Sequence, residues 1–260
     1  MKSKETLTIF LLVITGFLAY WVLYLNFKTI KTELDTITHQ GLTSYILTYF
    51  LIGIPIFIAT YFINRKVNFF ENLGLSKNIL TGIGTGVLFA LPMFASGLIF
   101  FKFNQQMNIE NLIAGTIVAG FMEELYFRGF LFGQLFRNTK IGFVPAIFLG
   151  AIIFAFGHLN QSQDASELTG IFLVTFFGAI FFAWFFAEWK YNLWVSIFTH
   201  TFMNLSWSLF AFDDTALGGT TANIFRALTI IVAIGFTIIY KKQNNQEFVI
   251  NKQTWVWKKT

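Results

Sequence analysis

The sequence predicts an all-α membrane protein, a polytopic bundle of about eight transmembrane helices that forms a single integral-membrane domain over residues 1–260. Hydrophobic residues make up 55% of the chain and charged residues 12%, whereas about a quarter of the residues in a soluble domain are charged. The apolar residues occur in runs that are long enough to cross the roughly 30 Å hydrocarbon core of a bilayer. Basic residues lie at the ends of these runs, where they set the orientation of a membrane protein.

Two features of the composition exclude other classes of protein. Cysteine is absent, which excludes a disulfide framework, a thiolate nucleophile and any zinc or iron–sulfur site with cysteine ligands. The formal net charge is +5, but the position of the basic residues beside apolar runs indicates membrane orientation instead of nucleic-acid binding. We therefore expect the lipid bilayer as a partner, and no nucleic acid.

The predicted spans follow one another along the chain with few long connections. A polar link at 26–41 separates the first two spans, and a mixed apolar and charged stretch at 69–77 is typical of a membrane interface. Pro92 interrupts the third span, which a membrane helix tolerates when its neighbours bond the freed backbone groups. The spans cover residues 7–25, 45–63, 79–101, 109–135, 143–159, 168–189, 193–212 and 224–240.

The distribution of Lys and Arg predicts a cell-membrane protein with both termini in the cytoplasm. The opposite side of the bundle carries Lys28, Lys31 and Lys102. We interpret Glu188 and Lys190 as interfacial anchors, the Phe-rich stripes as lipid-facing packing, and residues 241–260 as a basic cytoplasmic tail on the membrane surface. The cytoplasmic side collects Lys2, Lys4, the link 65–77, Arg137, Lys140, Lys190 and the lysines of the tail.

The fourth span contains two carboxylates and a guanidinium within six positions, namely Glu123, Glu124 and Arg128. Each ionisable residue at membrane depth costs at least about 2.5 kcal/mol, so these side chains must face partners or a water-filled cavity. Glu124 and Arg128 are four residues apart with the acid first, which is the favourable order for an ion pair on one helix face. Glu123 has no such local cation, so it must meet a group from another helix.

Polar residues of two later spans can supply that group. His158 follows Phe154 by one helical turn, and His200 shares a helix face with Asn204. Each of these residues alone can form an interhelical hydrogen bond that supports packing. Together with Glu123 they suffice to activate water against an amide, because a carboxylate shielded from water is a usable general base and N–H groups stabilise an oxyanion. We expect these polar residues to line one cavity.

Residues of these three spans also form a recognisable set of motifs. The set resembles the CPBP family, which comprises the CAAX prenyl endopeptidases and the bacteriocin-processing or Abi proteins, and whose members are intramembrane glutamic proteases. The resemblance covers 109–205, the predicted catalytic core. The motifs are Glu123-Glu124-x-x-x-Arg128, Phe154-x-x-x-His158 and His200-x-x-x-Asn204.

The resemblance implies a role for each motif residue. Glu123 would activate the hydrolytic water with help from His158, while His200 and Asn204 would form the oxyanion hole. The supporting residues would be Glu124, Arg128 and Phe154, which brace the site. The implied substrate is a membrane-associated peptide or protein, and prenylated CAAX proteins, pheromone precursors and bacteriocin leaders all suit such a site.

Two alternatives remain open at this stage. Glu123, His158 and His200 could supply a two-histidine, one-carboxylate zinc site, but no carboxylate in the sequence is an evident second-shell acceptor for either histidine, and we expect no cofactor. The chain could also be a non-catalytic membrane protein that serves bacteriocin self-immunity or acts as a scaffold. Retention of every motif residue favours the enzyme.

If all helices ended at the same membrane plane, Glu123 and His200 would lie at different depths in the bilayer. The fourth span ends and the seventh begins on the predicted cytoplasmic side, where we expect the cavity to open. At about 1.5 Å per residue, His200 lies roughly 10 Å from the start of its span and Glu123 roughly 20 Å from the end of its own. We therefore expect the fourth and fifth helices to project beyond the bilayer.

Overall fold

The structure, a computed structural model, describes residues 3–258, so the predicted roles of Lys2 and Lys259 lie outside the described residues. The regular elements of this part of the chain are all helices, and it contains no β-strand, only an isolated bridge between Ile141 and Trp257. The helices are α1 (Ser3–Tyr24), α2 (Phe27–Thr38), α3 (Gly41–Ile63), α4 (Phe69–Asn72), α5 (Ile79–Phe100), α6 (Ile109–Ile113), α7 (Ala119–Glu123), α8 (Gly133–Asn138), α9 (Phe143–Phe156), α10 (Ala165–Glu188), α11 (Leu193–Leu209) and α12 (Thr220–Gln243).

The helices confirm the predicted all-α, polytopic membrane bundle. Within residues 3–258, six helices are long and apolar enough to cross a membrane: α1, α3, α5, α9 with the turn after it, α10 and α12. The remaining two predicted spans correspond to α11, which has 17 residues, and to the segmented helix that runs from α6 to α8. Each predicted span thus coincides with a helix of the structure.

The predicted polar link at 26–41 is a helix of its own. Helix α2 occupies Phe27–Thr38, buries no residue and carries an ion pair of 2.6 Å between Lys31 and Asp35. Charged and apolar residues alternate along it with helical spacing, which suits a helix lying at an interface. Its polar composition indicated a link, whereas its periodicity is that of an amphipathic helix.

The segment 109–138, which we call the motif helix, is continuous but contains two π-helical stretches. Ala114–Val118 separates α6 from α7, and Glu124–Phe132 separates α7 from α8. Wider π turns rotate the side chains that follow and often occur at functional sites. Glu123 is the last residue of α7 and Glu124 the first of the second π stretch, so the two carboxylates stand at a junction of helix types.

The motif helix extends past the beginning of α11, as the depths of the site residues require. Leu193, the first residue of α11, lies beside Gly129, where an added Cβ would come 3.0 Å from the leucine side chain. The motif helix continues for nine residues beyond this point to Asn138, a distance of roughly 13 Å. The motif helix is therefore longer than α11 at this end, whereas the projection of the fourth and fifth helices beyond the bilayer stays a prediction.

Close backbone approach joins α5 to α11 on the other side of the bundle. A Cβ added at Gly82 would meet the backbone of Trp194 at 2.6 Å, and one added at Gly86 would meet Phe198 at 2.8 Å. Small residues permit such contacts in membrane proteins, where packing replaces the hydrophobic effect between helices. The two glycines thus fix α11, which carries His200, against the bundle.

We expect Gly86→Ala to destabilise the protein by about 1–3 kcal/mol, because the new methyl group would overlap the backbone of Phe198. Gly84→Ala is the matched control, since an added Cβ there meets no atom within 4 Å. Thermal unfolding in detergent micelles measures both changes. Equal melting temperatures for the two variants would contradict the packing shown here.

Glu188 is a buried structural residue, so its prediction as an interfacial anchor is wrong. Its side chain is 0% exposed and forms an ion pair of 2.6 Å with Lys241. The carboxylate also accepts backbone hydrogen bonds from Val249 and Ile250, at 3.1 and 2.9 Å. The carboxylate points between α10 and α12, where a buried charge requires a counter-charge, and it fixes the start of the C-terminal segment.

The C-terminal segment after α12 packs against the beginning of α9. Helix α12 continues to Gln243, so Lys241 belongs to the helix. Further along, the backbone N–H groups of Gly142 and Val144 donate to the carbonyls of Val256 and Trp255, at 2.8 and 2.9 Å. Both Ile250 and Trp255 line the large internal cavity described below. The segment is therefore part of the cavity wall.

Candidate active site

One large cavity brings the four predicted catalytic residues together. It has a volume of about 1230 Å³ and lies between the motif helix and helices α9 to α12. Its wall is mainly aliphatic and aromatic, and it extends from the C-terminal segment to the loop after α11. The predicted catalytic residues that line it are Glu123, His158, His200 and Asn204.

Glu123 and His200 lie next to each other in the cavity wall. Oε2 of Glu123 lies 3.9 Å from Nε2 of His200, and the glutamate side chain is 22% exposed. The helices can approach this closely because Gly120 has no side chain; a Cβ there would lie 2.7 Å from Oγ1 of Thr201. Within the described residues, no group donates a hydrogen bond to Glu123, so its carboxylate is free to bind water or substrate.

The second carboxylate of the motif has a different environment. Glu124 is 0% exposed, and its Oε1 lies 3.0 Å from Nη1 of Arg128 and 2.8 Å from Nδ1 of His200. The ion pair with Arg128 is as predicted, but the contact with His200 was not. Glu124 therefore links the first motif to the third, and it is the second-shell carboxylate that the sequence had not revealed.

Aromatic rings enclose this buried charge cluster. The guanidinium of Arg128 lies 4.6 Å from the ring centre of Phe154 and 5.4 Å from that of Phe182, at distances typical of cation–π contacts. The ring of Phe182 also stacks on His200, with centroids 5.0 Å apart. The Phe-rich stripes are thus not lipid-facing throughout, and nothing in the sequence distinguished Phe182 from its neighbours.

The hydrogen bond of His158 determines which ring nitrogen faces the cavity. Helix α9 ends at Phe156, and Nδ1 of His158 lies 2.8 Å from the carbonyl oxygen of Phe154. Because a carbonyl can only accept, Nδ1 carries the proton and Nε2 of the neutral ring presents a lone pair. The second motif therefore builds a hydrogen-bond acceptor into the cavity wall.

Asn204 retains a donor for a ligand. One N–H of its carboxamide donates to the carbonyl oxygen of Gly115 at 3.2 Å, and Gly115 lies in the first π stretch of the motif helix. A carboxamide has two N–H donors, so the second remains available. The irregular helix thus orients Asn204 by a contact that the sequence pattern could not predict.

Trp207 and Arg226 are among the cavity residues that were missed in the sequence. Trp207 lies on α11 one turn beyond Asn204, and Arg226 lies on α12. An arginine within an apolar run was an available signal, since ionisable residues in membrane spans generally face a cavity or a partner. Its position near the start of the eighth predicted span concealed it among the flanking polar residues.

The residues offered as zinc ligands are only partly suited to a metal. Both histidines have a second-shell acceptor, Glu124 for His200 and the Phe154 carbonyl for His158, so that part of the case against zinc was wrong. Within residues 3–258, however, no three His, Asp or Glu side chains lie close enough together to hold a metal ion. The 3.9 Å between Oε2 of Glu123 and Nε2 of His200 is only slightly longer than the roughly 3.3–3.6 Å between two ligands of a tetrahedral zinc ion, so this pair alone does not argue against a metal.

Comparison with known proteins agrees with the motifs. Residues 105–206 match the family model described as type II CAAX prenyl endopeptidase, Rce1-like, and this segment contains all the motif residues. No curated protein sequence matches the chain. The segment that carries the three motifs in this multi-pass membrane protein belongs to the Rce1-like family of type II CAAX prenyl endopeptidases.

Proposed function

We propose that this chain is a glutamic intramembrane endopeptidase that hydrolyses a peptide bond in a membrane-associated peptide or protein. The observation that carries the proposal is the division of labour between the adjacent carboxylates. Glu124 is fully buried between Arg128 and His200, whereas Glu123 faces the cavity and receives no hydrogen bond from any residue that the structure describes. One carboxylate thus supports the site, and the other is available for chemistry.

Glu123 would act as the general base. A water molecule bound between its carboxylate and Nε2 of His158 would lose a proton to Glu123 as its oxygen attacks the carbonyl carbon of the substrate. The C–N bond would then break, and the proton held by Glu123 would pass to the leaving amine. Proton transfer of this kind contributes about 10²–10⁴-fold to a rate.

His200 and Asn204 would stabilise the oxyanion. Nδ1–H of His200 is directed at Glu124, so Nε2 can donate only when the ring is an imidazolium. Such an imidazolium would add a second positive charge to that of Arg128, so that the two together would balance the negative charges of Glu123 and Glu124. The free N–H of Asn204 would supply the second donor, and each donor of this kind is worth about 10²–10³ in kcat.

We propose that the reaction needs no bound metal. Direct activation of water by Glu123 requires only groups that the cavity already presents. We expect the purified protein to retain its peptidase rate after treatment with a strong chelator and dialysis. Loss of the rate in chelator, with recovery on addition of one equivalent of zinc, would instead make Glu123 and the two histidines metal ligands.

The distribution of Lys and Arg favours a protein of the cell membrane with both termini in the cytoplasm. We propose that the substrate also enters the cavity from the cytoplasmic side. A peptide attached to the inner leaflet could then reach the cavity, and a prenylated C-terminal peptide is the substrate that the family description favours. Labelling of single cysteines placed beside Arg137 tests this orientation. Labelling of that site from outside intact cells would contradict it.

The competing proposal is a non-catalytic protein that confers bacteriocin self-immunity or serves as a scaffold. The two proposals differ in what Glu123→Gln does in the cell, because the amide keeps the shape of the side chain but cannot act as a base. We would compare the membrane peptides of cells that express the wild-type protein or this variant at equal levels. Peptides that accumulate uncleaved only with the variant would support the peptidase, and identical peptide sets with an unchanged phenotype would support the rival.

A further inference from the structure

A smaller cavity, separate from the candidate active site, lies where four helices begin or end. Asn78 and Asn192 precede α5 and α11, Glu188 is the last residue of α10, and Tyr240 lies three residues before the end of α12. All four residues line this cavity, which has a volume of about 220 Å³ and shares no lining residue with the active-site cavity. Because α5, α10 and α12 are each long enough to cross the hydrocarbon core, a cavity at their ends lies at the level of the lipid headgroups.

Three lysines line the smaller cavity, and one of them is neutralised within the protein. Lys241 is 2% exposed and pairs with Glu188 at 2.6 Å. Lys77 and Lys190 are exposed at the cavity, and within the described residues neither forms an ion pair with a carboxylate. The cavity, which we call the lysine pocket, therefore carries a net positive charge that the protein leaves unbalanced.

The backbone holds the two exposed lysines on neighbouring segments. Lys77 directly precedes Asn78, the N-cap of α5, and the side-chain N–H of Asn192 donates to the Asn78 carbonyl at 3.0 Å. Lys190 adopts a left-handed backbone conformation, with φ of 56°, and its N–H donates to the carbonyl of Ala187 at 3.2 Å. A residue with a side chain keeps such a conformation only when its surroundings fix it. The positions of both lysines at the pocket are thus determined by the fold.

Aromatic and aliphatic side chains continue the pocket toward the hydrocarbon core. The rings of Trp189 and Tyr240 line the pocket and stack, with centroids 5.0 Å apart, and such amphipathic rings are enriched at the level of the headgroups. Leu80 on α5 and Ile239 on α12 are 71% and 56% exposed, and they adjoin the pocket residues of these helices in the sequence. The surface therefore joins a cationic pocket to an apolar face, which suits a ligand with an anionic head and an apolar chain.

We propose that the lysine pocket binds one anionic phospholipid, with the phosphate between Lys77 and Lys190 and an acyl chain along α5 and α12. Basic pockets between transmembrane helices bind anionic headgroups in this way. The volume is below the roughly 300–1,000 Å³ of pockets that enclose a whole small ligand, so it suits a headgroup whose chains stay in the bilayer. The proposal does not depend on peptidase activity.

Bound lipid would stabilise the part of the fold that carries the pocket. The phosphate would join the start of α5 to the turn after α10, next to the ion pair between Glu188 and Lys241. This pair fixes the start of the C-terminal segment, which belongs to the wall of the active-site cavity. A ligand that binds only the folded state raises its stability, so the lipid is expected to raise the melting temperature.

A general attraction between basic residues and anionic lipid makes a different prediction. In that case, removal of any two lysines from this side of the protein would weaken lipid binding equally. Lys66 and Lys242 form the matched control, because both are exposed, lie on the same predicted side of the membrane and do not line the pocket. Pairs of substitutions that remove the same charge therefore separate a site from a charged surface.

The experiment measures lipid binding to the full-length protein by native mass spectrometry. Titration in detergent with dioleoyl phosphatidylglycerol or dioleoyl phosphatidylcholine gives an apparent Kd for the first bound lipid. The wild-type protein is compared with three double variants, whose melting temperatures before lipid addition report on folding. They are Lys77→Gln with Lys190→Gln, the control Lys66→Gln with Lys242→Gln, and the charge-conserving Lys77→Arg with Lys190→Arg.

We expect the wild-type and control proteins to bind phosphatidylglycerol about 10- to 30-fold more tightly than phosphatidylcholine, since each lysine near an anionic lipid contributes roughly a factor of five. The glutamine pair in the pocket should reduce this preference to about threefold or less, and the arginine pair should retain it. Millimolar glycerol 3-phosphate should not displace the lipid, because it lacks the acyl chains.

Three results would overturn the proposal. They are a wild-type protein without a preference for the anionic lipid, an equal loss of preference in the pocket and control variants, and displacement of the lipid by glycerol 3-phosphate, which would assign the pocket to a soluble phosphate. If the glutamine pair in the pocket lowers the melting temperature before lipid is added, the arginine pair decides. Loss of the preference in a folded arginine variant would also contradict the proposed site.

Discussion

The substitution Glu123→Gln is expected to lower the rate of peptide hydrolysis by about 10²–10⁴-fold, because the amide cannot accept the proton of the attacking water. The protein should fold as before. Glu123 is 22% exposed to the cavity, its Oε2 lies 3.9 Å from Nε2 of His200, and no hydrogen bond within the described residues depends on it. Initial rates in proteoliposomes and melting temperatures in detergent test both parts of the prediction.

The matched control is Glu110→Gln, which makes the same chemical change on the same motif helix. Glu110 lies in the first turn of α6, is exposed and accepts a hydrogen bond from Gln40 at 3.1 Å. It does not line the cavity. We expect this variant to retain the full rate. A Glu123→Gln protein with a rate within about tenfold of the control would exclude general-base catalysis by Glu123.

The second large effect is on stability, and it concerns Glu124. We expect Glu124→Gln to cost about 3–5 kcal/mol, the usual loss when one member of a buried ion pair is removed. Arg128 is completely buried, and none of its three guanidinium nitrogens has a hydrogen-bond partner among the described residues, so the ion pair with Glu124 at 3.0 Å is its principal contact with a negative charge. Without Glu124, its charge would lie between aromatic rings with no adjacent counter-charge. The free energy of unfolding in mixed micelles measures the loss.

A double variant separates the charge effect from the loss of packing. Adding Arg128→Met to Glu124→Gln removes the uncompensated charge, so stability should recover in part. Activity should not recover, because His200 would still lack the carboxylate that accepts from its Nδ1 at 2.8 Å. A double variant no more stable than Glu124→Gln alone would show that the pair does not stabilise the fold in the way described.

Much of the fold could be predicted from the sequence, because the hydrocarbon core of a bilayer restricts which segments can cross it. Every span must be long and apolar, so the runs of the sequence mark the helices directly. Helix α2 was missed because it is neither long nor apolar, although its charges are spaced like those of a helix. The π stretches of the motif helix were also missed, since π turns depend on packing between helices and have no pattern in the sequence.

The composition of the site could be predicted for the same reason. Glu123 and the two histidines are costly in lipid, so they were expected to meet in a cavity, and they line a common one. What the sequence could not provide was the pairing between helices. Glu124 was assigned to Arg128 because they are four residues apart, whereas its contact with His200 joins residues 76 positions apart.

Glu188 shows the opposite error, in which a local rule was applied to a residue with distant partners. Its position at the end of an apolar run is typical of an interfacial anchor. In the structure its carboxylate bonds Lys241, 53 positions later, and the backbone of the C-terminal segment. Charges at helix ends can therefore be buried when a later helix brings a counter-charge, and only the fold shows which ones are.

The most direct test of the proposed function is the reaction of the purified protein with a prenylated peptide in H₂¹⁸O. The protein would be reconstituted in liposomes, and both fragments would be identified by mass spectrometry. Activation of water by Glu123 predicts that the wild-type protein produces two fragments, with one ¹⁸O atom in the new carboxylate of the N-terminal fragment. The Glu123→Gln protein should produce no fragments. Recovery of the intact peptide with the wild-type protein, or equal cleavage by the Glu123→Gln protein, would contradict the proposal.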